Sequence, residues 1–223
     1  MAQSTRLPRA RRRAQLLEVA TRRFSGEGYF GTSMDSIARD AGVTKPVLYQ
    51  HFPSKEELYV EVVRSVGDTV VHKLEGAGDV SIDTRERVTD AVERLAGILL
   101  YQGRSMRLLD SGDHISDAVA VEVDRVLRRA ADVLARVLMQ TRAIDAEVAA
   151  ILGWSLTALA RATAEQFDSD DSRERYLTIT DTLTTLVTSG LDGFTPHEGT
   201  RTTAPAPATA VGSQPSADTA VDD

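Results

Sequence analysis

Apolar residues recur every three or four positions along most of this chain, which is the spacing of one face of an α-helix. The first such run spans about 10–27, and Gly26 and Gly28 interrupt it at its end. Its inward positions are Leu16, Leu17, Ala20 and Phe24. We expect Tyr29 and Phe30, large aromatic residues directly after the glycines, to fill the core beneath the next two helices.

A pair of short helical patterns follows between residues 32 and 52, joined across a glycine. Thr32 or Ser33 begins the first of them, because Thr32 and Asp35 have the spacing of a capping box. Gly42 has no Cβ and can adopt the left-handed conformation that ends a helix. The apolar positions of this first helix are Met34, Ile37, Ala38 and Ala41.

The second short helix begins at Thr44, which can cap it. Pro46 is tolerated in its first turn, where the N–H groups have no partner within the helix. Its apolar side is Val47, Leu48 and Phe52, and its outward side is Lys45, Tyr49, Gln50 and His51. Two helices joined by a short glycine turn make a helix-turn-helix unit, whose second helix can lie in a DNA major groove. An ordinary helical corner has the same spacing, so the pattern alone leaves both interpretations open.

The same periodicity predicts five longer helices in the rest of the chain. They run from Ser54 to about Gly76, from Asp83 or Thr84 to about Gln102, from about Ile115 to Arg142, from Asp145 to about Phe167 and from Asp170 to Gly190. The fourth has a face of small residues, which lets another helix approach closely. The predicted fold class is all-α, with an N-terminal three-helix helix-turn-helix unit of homeodomain-like type and a helical C-terminal part.

The net charge of −7 is unevenly distributed. Residues 1–64 carry eleven Lys or Arg and seven Asp or Glu, whereas the remainder carries fifteen and twenty-six. The first 13 residues hold five arginines and no acidic residue. A basic end on an acidic body indicates that this end faces phosphate. We interpret 1–13 as an unstructured segment that reaches a DNA groove or backbone, or else is a solvated tail.

The composition gives little support to catalysis or metal binding. The chain has no Cys, which excludes disulfides, thiolate zinc sites and a Cys nucleophile. Its four His residues show no metal-binding spacing, and no Gly-rich phosphate loop occurs. The loop DSGDH at 110–114 has metal-binding residue types, but these also suit a turn. No apolar run reaches the roughly 18 residues of a membrane span. We therefore expect a cytoplasmic protein that is not an enzyme and uses no cofactor or metal.

The run IARDAGVTKPVLYQHFPSKEELY at 37–59 is much more specific than the periodicity. It resembles the signature of the TetR (tetracycline-repressor-like) family of bacterial transcription regulators, in which IA, AGVS, LY, HF, SK and L follow in that order. The resemblance extends from about Arg12 to Val70. Beyond that, only the all-helical pattern and the length agree. Pro46 stands where many members carry Gly or another small residue, which leaves base readout at that point open.

The resemblance implies a homodimer that binds a palindromic double-stranded DNA operator and responds to a small ligand, usually as a repressor. An activator of lipid metabolism is the alternative. The run AGVTKPVLYQHF also resembles regulators of fatty-acid synthesis in actinobacteria, so the implied effector is apolar or amphipathic. Two other classes stay open: a small helical enzyme or carrier that does not bind DNA, and an interaction adaptor that has lost DNA binding.

The resemblance also implies which residues meet DNA. They are Arg11, Arg12, Arg13, Thr32, Ser33, Thr44, Lys45, Pro46, Tyr49, Gln50, His51 and Lys55. Lys45 has the reach and donors for a guanine edge or a phosphate, and Gln50 can pair with adenine. Tyr49 and His51 are assigned to phosphates, which position the protein without specifying sequence. Each has a structural alternative, such as Tyr49 in packing between domains.

The candidate effector contacts lie on the inner faces of the later helices. They are Leu95, Leu99, Met106, Leu127, Leu134, Trp154 and Arg161. Trp154 and Arg161 are two helical turns apart and share a face. Arg161 can hold an anionic head group or pair with an acid on a neighbouring helix.

The predicted organisation has four parts. They are a basic disordered arm at 1–9, a TetR-type DNA-binding domain at 10–70 with its motif at 33–52, a ligand-binding and dimerisation domain at 71–194, and a disordered tail at 195–223. The tail is rich in Thr, Ala, Pro and Ser and has too little apolar surface to offset its ordering entropy. The helix that begins at Ser54 would belong to both domains, so its tilt would move the recognition helix. In the family, the last two long helices of each subunit form the four-helix bundle of the dimer.

Overall fold

The computed structural model describes residues 8–76, 107–109, 115–165 and 173–194. The helices are α1 (Arg9–Gly31), α2 (Met34–Asp40), α3 (Lys45–His51), α4 (Lys55–Glu75), α5 (Asp117–Thr141), α6 (Ala146–Glu165) and α7 (Arg173–Leu191), with a 3₁₀ turn at Arg107–Leu109. The predicted helix near 83–102, the 110–114 loop, the helix start at 170–171 and the 195–223 tail lie outside the described residues. Within the described ranges, no helix is long and apolar enough to cross a membrane.

Helix α1 is longer than predicted and is kinked near its end. It begins at Arg9 and runs to Gly31 through Gly28, whose backbone leaves the helical region at φ 71° and ψ 174°. Glycine adopts this conformation at no steric cost because it lacks a Cβ. Residues 9–13, interpreted from their charge as part of an unstructured segment, form the first turns of α1, in agreement with the helix predicted from residue 10.

The two aromatic residues after the kink have different environments. Tyr29 is half-buried and meets the ring of Tyr59 edge-on, with centroids 5.1 Å apart, and Phe24 meets the same ring at 4.9 Å. Phe30 is 76% exposed, so the prediction that it enters the core is wrong. Successive residues of a helix point about 100° apart, and the turn after Gly28 gives the inward direction to Tyr29 alone.

Ser33 is the N-cap of α2. Its hydroxyl accepts a hydrogen bond from the Ser36 N–H at 3.0 Å, and its own N–H donates to the Ser36 hydroxyl at 3.2 Å. The capping box therefore pairs Ser33 with Ser36, and the predicted pairing of Thr32 with Asp35 is wrong. Gly42, at the end of α2, has φ 65°, as the helix-turn-helix pattern required.

Helix α4 is the centre of a hydrophobic cluster that runs from α1 to α6. Leu48 and Phe52, which anchor α3, are at most 1% exposed. The buried side chains of α4 include Leu58, Tyr59, Val62, Val63, Val66, Val70, Val71 and Leu74. The prediction that one helix packs on both the helix-turn-helix unit and the C-terminal helices is confirmed. Its capping residue is also confirmed, since the Ser54 hydroxyl accepts from the Glu57 N–H at 3.0 Å.

Two glycines allow unusually close helix contacts. A Cβ at Gly67 of α4 would lie 2.3 Å from Cγ2 of Val126 on α5. A Cβ at Gly153 of α6 would lie 2.4 Å from the carbonyl oxygen of Ala131, again on α5. The small-residue face predicted for α6 therefore packs on α5 of the same chain.

The outer faces of α6 and α7 leave large apolar side chains in solvent. Ile151 and Trp154 of α6 are 59% and 42% exposed, and Leu186 of α7 is 59% exposed. Val187, the next residue of α7, is buried. Leu191, one residue beyond the predicted end, packs with Val187 in a second small cluster.

Candidate nucleic-acid interface

Helix α3 presents a polar face because its apolar residues point the other way. Leu48 is fully buried, and Val47 is half-buried beside it. The exposed side chains of α3 and its cap are Thr44, Lys45, Pro46, Tyr49 and Gln50. Thr44 is the N-cap by position, yet its hydroxyl makes no capping hydrogen bond, so it is not used to start the helix.

The first turns of α1 lie beside α3 and form a concave surface with it. This basic groove has a volume of about 610 Å³. It is lined by Arg9, Arg12, Gly42, Val43, Thr44, Val47, Gln50 and His51. Two guanidinium groups next to an amide suit a phosphate backbone that runs past a base edge. Arg9 was expected in a disordered arm that reaches DNA, whereas in the structure it is helical and lines the groove.

Lys45 carries its charge at the exposed N-terminal end of α3. Its ammonium lies 3.0 Å from the Asp35 carboxylate on α2, and this hydrogen bond raises the pKa of Lys45 above its usual value. Both side chains are more than half exposed, and a pair of this kind contributes little to stability. Lys45 can therefore exchange Asp35 for a phosphate or a guanine at small cost.

His51 lies at the C-terminal end of α3 with one ring nitrogen buried. Its Nδ1 atom has no hydrogen-bond partner among the described residues. Burial lowers the pKa of His51, and the charges of Arg9, Arg13 and Arg12 lower it further. The imidazole is therefore neutral near pH 7 in the free protein, at the edge of a groove suited to anions.

Several predicted DNA contacts are engaged inside the protein. Thr32 is 2% exposed and its hydroxyl donates to the Gly28 carbonyl at 2.8 Å, so its side chain does not reach the surface as predicted. Ser33 is exposed, but its hydroxyl caps α2. The ammonium of Lys55 sits 4.3 Å from the centroid of the Tyr29 ring, and burial lowers its pKa.

The predicted arginines of α1 have three different positions. Arg11 is exposed, whereas Arg12 lines the groove and donates to Gln15 at 2.6 Å. Arg13 is turned toward α4, where its guanidinium lies 2.9 Å from the Glu61 carboxylate. All three belong to α1, and consecutive residues of a helix point about 100° apart, so their side chains point in different directions.

The candidate effector residues are not brought together by the described part of the structure. Leu134 is buried and Leu127 half-buried on α5, whereas Trp154 is 42% exposed on the outside of α6. Arg161 is half-buried on α6. Leu95, Leu99 and Met106 lie outside the described residues. The described residues also contain no group of three His, Asp or Glu side chains placed to hold a metal ion.

The comparisons with known proteins agree on one family. Residues 16–62 match the family model described as bacterial regulatory proteins, tetR family. The chain is 34% identical over 167 residues to the HTH-type transcriptional activator FasR of Mycolicibacterium smegmatis, an alignment that covers 74% of this chain and 76% of that protein. It is 33% identical over 118 residues to the HTH-type transcriptional repressor KstR2 of the same species, which covers 49% and 58%.

One solved structure matches a longer part of the chain than these two relatives do. The TetR-like transcriptional regulator from Rhodococcus sp. RHA1 superposes with a TM-score of 0.66 at 29% identity. The superposition covers 84% of this chain and 100% of that one. The likeness therefore extends beyond the helix-turn-helix unit to the C-terminal helices.

Proposed function

The chain belongs to the TetR family of bacterial DNA-binding transcriptional regulators, and we propose that it acts as a homodimer on a palindromic operator. A small apolar or amphipathic ligand would control it. The observation that carries this proposal is the basic groove, where Arg9 and Arg12 of α1 flank the exposed face of α3. A bacterial regulator meets its operator on the chromosome, so we place its action in the cytoplasm.

Helix α4 supports a ligand-controlled mechanism. It begins directly after α3 and packs on α5 at Gly67, so a change of its tilt moves α3 relative to the C-terminal helices. We propose the division into a DNA-binding domain at 10–70 and a ligand and dimerisation domain at 71–194. Ligand and operator would then oppose each other by the same factor in both directions, as thermodynamic linkage requires.

We propose repression as the sign of regulation, with activation as the second candidate. The relative FasR is named an activator, whereas KstR2 is named a repressor. Transcription in vitro from the promoter upstream of this gene, with and without the purified protein, separates the two. Fewer transcripts with the protein indicate repression, and more transcripts indicate activation.

Replacement of Lys45 or Gln50 by alanine is expected to weaken binding to DNA from the gene's own upstream region. Gln50→Ala removes the amide that would pair with a base, which should cost about 1–3 kcal/mol and relax sequence preference. Lys45→Ala removes an ammonium that would bind a phosphate, which should reduce the slope of log K against log salt by about 0.9. Fluorescence anisotropy at several salt concentrations measures both effects.

Lys73→Ala is the matched control, since Lys73 is an exposed lysine in the last turn of α4, away from the groove. It should bind the fragment as the wild type does. Equal decreases in affinity for Lys45→Ala and Lys73→Ala would show that only overall charge matters and that α3 does not read the operator.

Acidification is expected to strengthen operator binding through His51 and to destabilise the free protein. The pKa of His51 lies below its usual value in the free fold, so the unfolded chain takes up the proton first as pH falls from about 6.5, and stability decreases there. A DNA phosphate beside the ring favours the imidazolium, so affinity rises over the same range. For each unit by which bound DNA raises the pKa of His51, the operator affinity rises by at most about tenfold.

Affinity at pH 7.5 and 5.5 at constant salt, compared with His51→Gln, isolates this residue from the other histidines. His51→Gln should show a flatter dependence of affinity on pH. Identical dependence in the two proteins would remove His51 from the phosphate contacts.

A further inference from the structure

A buried carboxylate on α5 is paired with an arginine on α4. Glu122 of α5 is 6% exposed. Arg64 of α4 donates to both of its oxygens, at 3.1 Å and 3.3 Å, and Arg125 of α5 donates to one of them at 2.6 Å. A charge buried this deeply is strongly destabilising unless it is paired, so the geometry of the three side chains is tightly constrained.

The ion pairs continue from Arg64 to the groove side of the molecule. Arg64 also lies 2.5 Å from Glu61 on α4, and the second oxygen of Glu61 lies 2.9 Å from Arg13 on α1. The Arg13 guanidinium stacks over the ring of Phe52, 4.7 Å from its centroid. Phe52 is the C-cap of α3. An unbroken series of contacts therefore runs from α5 through α4 and α1 to the end of α3.

Glu122 and its two arginines hold one another in the ionised state. Burial raises the pKa of Glu122, but the hydrogen bonds from Arg125 and Arg64 outweigh it and leave the pKa below its usual value. The hydrogen bond to Glu122 likewise raises the pKa of Arg64. The Arg64–Glu122 pair therefore stays charged throughout the range in which the protein is expected to work.

Directional contacts fix a helix in a way that apolar packing does not. Apolar contacts also hold α4 on α5, such as Gly67 against Val126, and apolar burial has no preferred direction. A forked contact between a guanidinium and a carboxylate is geometrically specific. Because Glu122 is more deeply buried than Asp68 and Arg129, which also join these helices, its pair with Arg64 constrains the rotation and register of α4 on α5 more strongly.

We propose that Glu122 is a positioning residue for DNA recognition, acting through Arg64, Glu61 and Arg13 on the placement of α1 and α3. This rests on the proposed operator binding and adds to it the route by which the C-terminal helices hold the recognition helix. Arg13 is then the last charged residue of this route. It does not contact a DNA phosphate, in contrast to Arg9 and Arg12.

Another ion pair between the same helices serves as the control. Arg129 of α5 lies 2.5 Å from Asp68 of α4, and their side chains are 38% and 55% exposed. The Glu122 series does not pass through either residue. Asp68→Asn thus removes a charge pair between α4 and α5 and leaves every hydrogen bond of the Glu122 series in place, although the Asp68 charge also acts on Arg64 and Arg125.

Operator affinity in a double-mutant cycle tests the route. Glu122→Gln should weaken binding to the upstream fragment by roughly 5- to 150-fold, the usual range of coupling between sites, with an unchanged salt slope. Arg13→Gln should weaken binding with the slope likewise unchanged, and the double variant should bind no more weakly than the weaker single one. Asp68→Asn should stay close to the wild type. Additive effects, with a slope reduced by about 0.9 in Arg13→Gln, would make Arg13 an independent phosphate contact and overturn the proposal.

Arg64→Lys is the second variant if Glu122→Gln does not fold. It keeps the charge but lacks the planar fork that contacts Glu61 and Glu122 together, so it should weaken operator binding in the same direction. Wild-type affinity in a folded Arg64→Lys protein would also overturn the proposal.

A distance measurement separates this inference from the proposed function. The chain has no Cys, so Arg39→Cys on α2 and Asp132→Cys on α5 give two unique spin-label sites, both exposed. Double electron–electron resonance measures the distance between the two labels in the absence of DNA. Labelled chains are diluted with unlabelled ones, so that the distance measured is the one within a single chain. Glu122→Gln should shift or broaden that distance, and Asp68→Asn should not. An unchanged distribution in Glu122→Gln overturns the inference even if the wild type binds DNA, whereas a shift upholds the positioning role even if the fragment is not bound.

Discussion

Gly153→Ala is expected to destabilise the protein by forcing α5 and α6 apart. The added Cβ would lie 2.4 Å from the Ala131 carbonyl oxygen and 3.2 Å from the Ala135 nitrogen. Both atoms belong to the backbone of α5, so no side-chain rotation relieves the overlap and the helices must separate. Overpacking of this kind costs about 1–3 kcal/mol or more. The melting temperature should fall by roughly 2–4 °C for each kcal/mol in a chain of this size.

Gly190→Ala is the matched control, because Gly190 lies in α7 with no atom within 4 Å of the position of its Cβ. Alanine is favoured over glycine in a helix by up to about 1 kcal/mol, so this change should be neutral or stabilising. Thermal unfolding followed by circular dichroism compares the two. A Gly153→Ala protein as stable as the wild type would mean that α5 and α6 do not approach as closely as the structure shows.

The sequence predicted the helices well where periodicity and caps agreed. Ser54 before α4 and Asp145 before α6 are capping residues in the structure, since each accepts a hydrogen bond from a backbone N–H three residues later. A helix face and its cap are local properties, which the sequence encodes directly. The sequence could not choose between Thr32 and Ser33 as the helix start because both hydroxyls fit the pattern; in the structure the Thr32 hydroxyl donates to the Gly28 carbonyl, and Ser33 caps α2.

Contacts between distant residues could not be predicted in the same way. The spacing of α6 predicted a close approach at Gly153, but not that its partner is Ala131 of α5. Glu122 and Arg64 are each surrounded in sequence by other charged residues, so no local rule pairs them. Ion pairing at this range depends on the crossing of α4 and α5, which only the packed structure gives.

The candidate site was predicted only in part, because the faces of α3 are a local property whereas the packing of α1 on α4 is not. Lys45, Tyr49 and Gln50 were expected to face outward because Leu48 faces inward, and they do. The direction of Arg13 depends instead on where α1 crosses α4, and it faces Glu61, whereas the resemblance had implied that it faces a DNA phosphate. The roles of all these residues toward DNA remain predictions for the variants described above.

The wild-type protein is expected to be a dimer with about twice the 24.2 kDa mass of the chain. The outer face of α6 carries Ile151 and Trp154, 59% and 42% exposed, and none of its exposed positions from 150 to 158 is charged. An exposed apolar face of this kind indicates an interface. The opposite face of α6 is occupied by α5, so only a second chain or residues outside the described ranges can cover this one.

Trp154→Glu combined with Ile151→Glu is expected to give a monomer that has lost most of its operator affinity. Two recognition helices bind successive major grooves about 34–36 Å apart only if the dimer holds them at that separation. A monomer carries one recognition helix and loses the gain in affinity from joining two recognition helices in one molecule, which is on the order of 10²- to 10⁴-fold. Val121→Glu, at a 68% exposed position of α5, is the control and should remain a dimer. Light scattering and binding to the upstream fragment measure the two effects, and a monomer that binds as tightly as the wild type would exclude the homodimer as the operator-binding form.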